Sequence, residues 1–207
     1  MEIESVEELF YARTKRRCLF NITAIENIPS IMQHGIVSYD LAKKLPHRSI
    51  AIEDVQERRS KRSVTNGPRL HQYANLYFTY HNPMMYKRRG VADTICVLAI
   101  SASVLDIEDC VVSDMNAAAS LARFYPAAEG IGVLDFVKIF ATNWNYPDDK
   151  IRTRSHRAIK CAEILIPNVI PFSFIAGAYV VSEDSNRVLE EMKFPQRIIV
   201  KPSVFFQ

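Results

Sequence analysis

Apolar residues recur along this chain with two periods. Alternating or continuous apolar runs at 18–22, 75–79, 94–100, 161–166, 175–181 and 197–201 predict strands. Helical spacing predicts an N-terminal helix, a helix over 25–33, and further helices around 52–61, 116–123, 133–140 and 182–192. The 25–33 helix stops at His34-Gly35, where glycine is expected to supply a left-handed cap. These elements show neither internal repeats nor a regular strand-helix alternation. Glycine is scarce, at 6 residues, and neither G-x-G-x-x-G nor G-x-x-x-x-G-K-[ST] occurs, which removes the Rossmann and P-loop nucleotide sites.

One acidic residue breaks the pattern. Glu163 sits inside the run Cys161-Ala-Glu-Ile-Leu-Ile-Pro167, directly after a basic stretch. Strand alternation puts Glu163 on one face with Cys161 and Leu165, and Ala162, Ile164 and Ile166 on the other. A carboxylate held against apolar neighbours needs a cationic or hydrogen-bonding partner, or a working position in a cleft. The run is compatible with either: a core-edge glutamate paired with an arginine, or a catalytic carboxylate.

A cation behaves in the same way. In the 52–61 helix, Ile52, Val55 and Arg59 fall at i, i+3 and i+7, so Arg59 lies on the apolar stripe while Arg58 and Lys61 point elsewhere. Arg59 either snorkels or turns inward, and Arg62 competes for the same face. An inward guanidinium offers five fixed donors, suited to a phosphate or a developing anion.

Composition narrows the picture further. With 207 residues, 48% hydrophobic and 10% aromatic, the chain can bury one substantial core and is expected to be one domain, 1–207. Cys18, Cys96, Cys110 and Cys161 form no C-x-x-C pair, and read as buried hydrophobes in a reducing compartment with no metal site. The start, Met1-Glu-Ile-Glu, is acidic where a signal peptide is basic, and no apolar stretch approaches the roughly 20 residues of a membrane span, so a cytoplasmic protein with no membrane partner is expected.

Net charge is only +3, yet the cations cluster: Arg13 to Arg17, Arg58 to Arg62, Lys87-Arg88-Arg89, and Lys150, Arg152, Arg154, Arg157 and Lys160. Any one run can be a solvated face. Together with interleaved aromatics such as Tyr77, Tyr80 and Tyr86, they fit a surface that neutralises phosphates and stacks bases, with Tyr86, Lys87, Arg88, Arg152, Arg154 and Arg157 as candidate contacts to a polyanion. His71, His81 and His156 lack spaced carboxylates and read as structural, and Met84-Met85 reads first as core filling.

Five blocks in order carry a family resemblance. They are Leu19-Phe-Asn-Ile-Thr-Ala-Ile-Glu-Asn-Ile-Pro-Ser-Ile-Met-Gln-His-Gly35, the helix ending at Arg62, His71-Gln-Tyr-Ala-Asn-Leu-Tyr-Phe-Thr-Tyr-His-Asn-Pro-Met-Met-Tyr86, the stretch from Ser113-Asp-Met-Asn to Ala-Arg-Phe-Tyr125, and Cys161-Ala-Glu163. In this order the chain resembles the DarT family of DNA ADP-ribosyltransferase toxins. The resemblance implies an α+β fold, a split antiparallel β-sheet core of ADP-ribosyltransferase type flanked by helices, with NAD as ADP-ribose donor in a central cleft. It also implies transfer to a base of single-stranded DNA and neutralisation by a DarG-type antitoxin, an ADP-ribosylglycohydrolase.

By the same resemblance, Glu163 matches the catalytic glutamate and Arg59 the catalytic arginine. Asn21, Ile22 and Thr23 fall on a His-Ile-Thr cofactor element, Ser30 lies in the helix bordering the cofactor, and Tyr77 matches an aromatic of the NAD cleft. The region 110–163 corresponds to the loop shaping the DNA site. Asn21 departs from the usual histidine but can still donate a hydrogen bond. The 73–86 block is more similar to the guanine-modifying branch, with thymine as the second acceptor. Because a guanidinium resists deprotonation, Arg59 is expected to clamp NAD phosphate or the base carbonyl, although the family role is in proton removal. Transfer to protein or RNA, and an inactive nucleic-acid-binding module, are the alternatives.

Overall fold

The computed structural model describes residues 5–206; Met1 to Glu4, on which the reading of the acidic start rests, lie outside them. In chain order the elements are α1 (Val6–Thr14), β1 (Cys18–Ala24), α2 (Ile28–His34), β2 (Ile36–Val37), α3 (Tyr39–Ala42), α4 (Glu53–Ser60), β3 (Tyr73–Tyr77), α5 (Pro83–Lys87), β4 (Ile95–Ser101), β5 (Val111–Ser113), β6 (Phe124–Pro126), α6 (Ala127–Val133), α7 (Phe136–Phe140), α8 (Lys150–Lys160), β7 (Glu163–Pro167), β8 (Val169–Ile170), β9 (Ile175–Val180), α9 (Glu183–Glu191) and β10 (Arg197–Val200). Eight strands form one sheet in the order β10-β9-β4-β1-β3-β7-β5-β6, and β2 pairs with β8 apart from it. All neighbours in the large sheet run antiparallel except β9 and β10.

The sheet is split at its middle. β1 pairs with β4 along its whole length, from Cys18 opposite Ser101 to Ala24 opposite Ile95. On its other side the ladder to β3 is reduced to Phe20 opposite Tyr77. Beyond that pair the strands part, and the Asn21 side-chain amide donates to the Asn75 carbonyl at 3.2 Å. β3 then pairs with β7 through five positions, ending with Tyr77 opposite Glu163. A cleft therefore opens between two well-paired half-sheets, as the resemblance implied.

Side-chain alternation fills both faces. In β4, Cys96, Leu98 and Ile100 join the main core with Phe10 and Phe78, while Ile95, Val97 and Ala99 join a second cluster with Phe20 and Ile22. Along 162–166, Ala162, Ile164 and Ile166 face the main core, and Leu165 packs with Leu70, Tyr73 and Ala117 on the cleft side, the alternation the sequence predicts. Burial of this apolar area, at about 25 cal/mol per Å², is the main force holding the half-sheets together.

Several elements differ from the expectation. The 116–123 segment forms turns rather than a helix. Asn116 Oδ1 accepts the Ala118 N–H and Glu163 the Ala117 N–H, while the Ala119 and Ala122 amides close onto the Asn116 and Ala119 carbonyls three residues back, as successive turns rather than α-helical bonds. The 133–140 helix is two helices, broken at Leu134, with Asp135 capping the second. The 75–79 strand lies at Tyr73–Tyr77, and β7 begins at Glu163 because Cys161 is the C-cap of α8. Gly35 ends α2 at φ 75°, ψ −173°, an extended positive-φ conformation close to glycine-only space rather than a left-handed cap. Helix α8 was not foreseen: its inward face is Thr153, His156 and Lys160, so no apolar stripe marks it. Among the described residues, no helix is long and apolar enough to cross a membrane.

Candidate active site

Glu163 opens β7 at the mouth of the split, where the one-pair junction places it beside Tyr77. Glu163 is 1% exposed, and each of its carboxylate oxygens accepts one hydrogen bond. Arg59, on α4, donates from Nη1 to Oε2 at 2.7 Å. The Ala117 N–H donates to Oε1 at 2.9 Å. The Glu163 N–H donates to Ser113 Oγ at 3.1 Å, and that hydroxyl donates to the Met115 carbonyl at 2.6 Å. Glu163 is therefore paired with an arginine, as one sequence alternative expects, and it also lines the cleft.

Arg59 turns inward as its helical spacing predicts, and is buried. Its guanidinium meets the Glu163 carboxylate and also forms part of the cleft wall. The competitor Arg62 points elsewhere, donating to the Ala122 carbonyl and lying over the Phe124 ring.

The cleft encloses about 550 Å³. Among the described residues, its wall carries six cations, Arg48, Arg58, Arg59, Lys87, Arg154 and Arg157, and a single carboxylate, Glu163. Since Arg59 neutralises that carboxylate, the remaining charge is positive and suits a polyanionic ligand. Uncharged hydrogen-bonding groups are also present in Asn21, Asn27, Ser49 and Asn75, with the rings of Tyr39, Tyr73 and Tyr77. Burial, and then the Glu163 carboxylate, push the Tyr77 phenol far above its usual range, so it stays protonated as a donor. The Cys161 thiol beside them is pushed up to about 12 by burial, which leaves it neutral. Among the described residues, no group of three or more His, Cys, Asp or Glu is placed to hold a metal ion.

Of the sequence candidates, Glu163, Arg59, Asn21, Ile22, Tyr77, Lys87, Arg154 and Arg157 meet at this wall. Thr23 and Ser30 are not part of it. Thr23 is buried, and its Oγ1 accepts from Asn27 Nδ2 at 3.1 Å; Asn27, which does line the cleft, in turn holds the main chain of Arg48. Tyr86 packs against Phe206, Arg88 donates to the Ala51 carbonyl, and Arg152 lies 4.0 Å over the Tyr146 ring, so these three flank the cleft rather than line it. The Met pair divides: Met85 is core and Met84 is wall. The three histidines are structural, His71 against Gln56 and Tyr39, His81 on the Ser203 carbonyl, and His156 between Tyr146 and the Lys138 carbonyl. Sequence reasoning missed Ser113 and Ala117, which hold Glu163, although Ser113 opens one of the blocks that carry the resemblance.

Comparison with known proteins shows the family. The sequence model described as "DarT: ssDNA thymidine ADP-ribosyltransferase, DarT" matches residues 20–206. The chain belongs to the DarT family of ssDNA ADP-ribosyltransferases. A DNA ADP-ribosyl transferase of Thermus sp. (strain 2.9) is 30% identical over 185 residues, covering 84% of each protein. A DNA ADP-ribosyl transferase-DNA ADP-ribosyl glycohydrolase fusion protein of Thermosipho africanus (strain H17ap60334) is 27% identical over 202 residues, 92% of this chain and 50% of the fusion. The chain thus spans half the length of that relative. Among solved structures, Thermus sp. 2.9 DarT in complex with ADP-ribosylated ssDNA superimposes with a TM-score of 0.78 at 26% identity, over 93% of this chain and 97% of that one. Thermosipho africanus DarTG in complex with ADP-ribose gives a TM-score of 0.78 at 24% identity, over 92% and 51%, a likeness of fold.

Proposed function

We propose that this chain, acting as one domain, transfers ADP-ribose from NAD to a base of single-stranded DNA and releases nicotinamide. The observation that carries the reading is the buried Arg59–Glu163 pair at the foot of a cleft whose other charges are all positive. The cleft volume falls in the range of roughly 300–1,000 Å³ usual for small-molecule and cofactor sites, and its cations and amides fit a dinucleotide with two phosphates.

In the transfer, the bond between the ribose carbon and the nicotinamide nitrogen breaks with its electron pair leaving on nicotinamide, a base nitrogen supplies the pair for the new bond, and its proton is released. Glu163 stabilises the positive charge that develops on the sugar. A carboxylate fixed beforehand in a water-poor cleft does this far better than one that must reorganise in water. Arg59 and the Ala117 N–H use one lone-pair site on each oxygen, which keeps the group oriented while leaving acceptor capacity for the substrate. Arg59 is thus read as the group that positions Glu163 rather than as a phosphate clamp. Asn21, whose amide donates to the Asn75 carbonyl at the cleft wall, is read as the cofactor contact in place of the family histidine.

Two lines bear on the acceptor. The similarity of the 73–86 block favours guanine, and the description of the matching family names thymidine. The biological role proposed is that of a cytoplasmic toxin held in check by a DarG-type glycohydrolase, a reading supported by the fused arrangement of the Thermosipho relative.

Incubation with NAD and single-stranded oligonucleotides that differ in one base, followed by mass measurement, tests the reading. A gain of one ADP-ribose on guanine-containing strands alone selects guanine, and a gain on thymine-containing strands selects the alternative. A gain only on protein or RNA, or NAD binding with no product, overturns the proposal.

A further inference from the structure

A second hollow of about 450 Å³ adjoins the cleft, and Arg154 and Arg157 line both. Its floor is the stripe Lys150, Thr153, Arg154 and Arg157, spaced i, i+3, i+4 and i+7 on α8. The facing wall is the loop at Asn145 and Tyr146, and that wall is firmly fixed. Thr153 Oγ1 accepts the Tyr146 N–H at 2.8 Å and donates to the Tyr146 carbonyl at 3.0 Å. The Tyr146 hydroxyl meets His156 Nδ1 at 2.9 Å. Among the described residues, no carboxylate lies within ion-pair distance of Lys150, Arg154 or Arg157. The adjacent acid, Asp149, is used otherwise, accepting the Arg152 N–H at 2.8 Å as helix cap.

We infer that this hollow is a subsite for the nucleotide next to the modified base, holding its phosphate between Lys150, Arg154 and Arg157. The inference rests on the proposed DNA activity and adds the path of the strand. The two shared arginines stand where a phosphodiester crosses from one hollow to the other. Stacking contributes little here, because the Tyr146 ring is already occupied by the Arg152 guanidinium at 4.0 Å and by the His156 ring. Recognition at this position therefore reads the phosphate and tolerates any base.

Binding of fluorescent single-stranded oligonucleotides, measured by anisotropy across a salt series, provides the test, with the Michaelis constant for NAD followed separately. In the wild type, removing the flanking nucleotide with its phosphate weakens binding several-fold, whereas an abasic flank that keeps the phosphate binds as well as the intact strand. Lys150→Ala, an exposed position, weakens binding of the intact strand and lowers the slope of log K against log salt by about 0.7. It leaves binding of the trimmed strand and the Michaelis constant for NAD where they were. Equal weakening of trimmed and intact strands, loss on abasic substitution, or a shift in the NAD constant overturns the subsite. Because binding is read directly, failure of transfer with an intact binding pattern counts against the proposed reaction and leaves the subsite standing.

Discussion

Arg59 and Glu163, 104 residues apart in sequence, meet in a buried ion pair of 2.7 Å at the junction of the two half-sheets. The pair ties helix α4 to strand β7 across the cleft, so one interaction serves both the fold and the site.

Replacing Glu163 by Gln keeps the shape and removes the charge. Transfer to DNA falls by at least about 100-fold, the usual loss when a preorganised electrostatic group is removed. Unfolding stability falls by about 3–5 kcal/mol, because the buried Arg59 guanidinium is left without its counter-charge. Steady-state kinetics and urea unfolding check the two parts. Turnover within a few-fold of wild type removes Glu163 from the chemistry.

Ser113 accepts the Glu163 N–H and is fully buried. Ser113→Ala leaves that N–H without a partner, at a cost of about 1–3 kcal/mol. The start of β7 then loosens, so kcat falls while the Michaelis constant for NAD changes little. A loss confined to stability, with kcat unmoved in folded protein, assigns Ser113 a purely structural part.

Lys160 donates to the Ile139 and Ala141 carbonyls at the end of α7 and lies under the Trp144 ring. Burial lowers its pKa from 10.5 to about 8. Across that window the unfolded chain holds more protons at this group than the folded one, so its contribution to stability grows as pH rises and is absent below about 8. Melting curves of wild type and Lys160→Met over the same range check the sign. The difference, wild type minus variant, increases with pH; a flat difference refutes it.

At Gly35 the backbone lies at φ 75°, and a methyl group would run into the Ile170 carbonyl oxygen. Gly35→Ala lowers stability by about 2 kcal/mol or more. Gly90→Ala, where a methyl meets nothing within 4 Å, stays within about 0.5 kcal/mol. Paired denaturation curves separate the two, and equal effects contradict the backbone assignment at Gly35.

The chain alone determined the strands whose apolar runs are long, the inward turn of Arg59, and the face of β7 that carries Glu163, because these follow from local period and from the cost of placing a charge among apolar groups. It also carried the family resemblance. Tertiary structure decided the rest. Helix α8 hides a polar face against a polar loop, so no hydrophobic period betrays it. The 116–123 segment has helical spacing, yet its backbone closes in successive i→i+3 turns, with the Ala117 N–H on the distant Glu163. That Arg59 and Glu163 are partners, that Ser113 and Ala117 hold the carboxylate, and that Lys87, Arg154 and Arg157 face one cleft while Thr23 and Ser30 do not all depend on which strands lie side by side. The single-pair junction at Phe20 and Tyr77 sets that order, and pairing between distant segments is a property no local window of sequence contains.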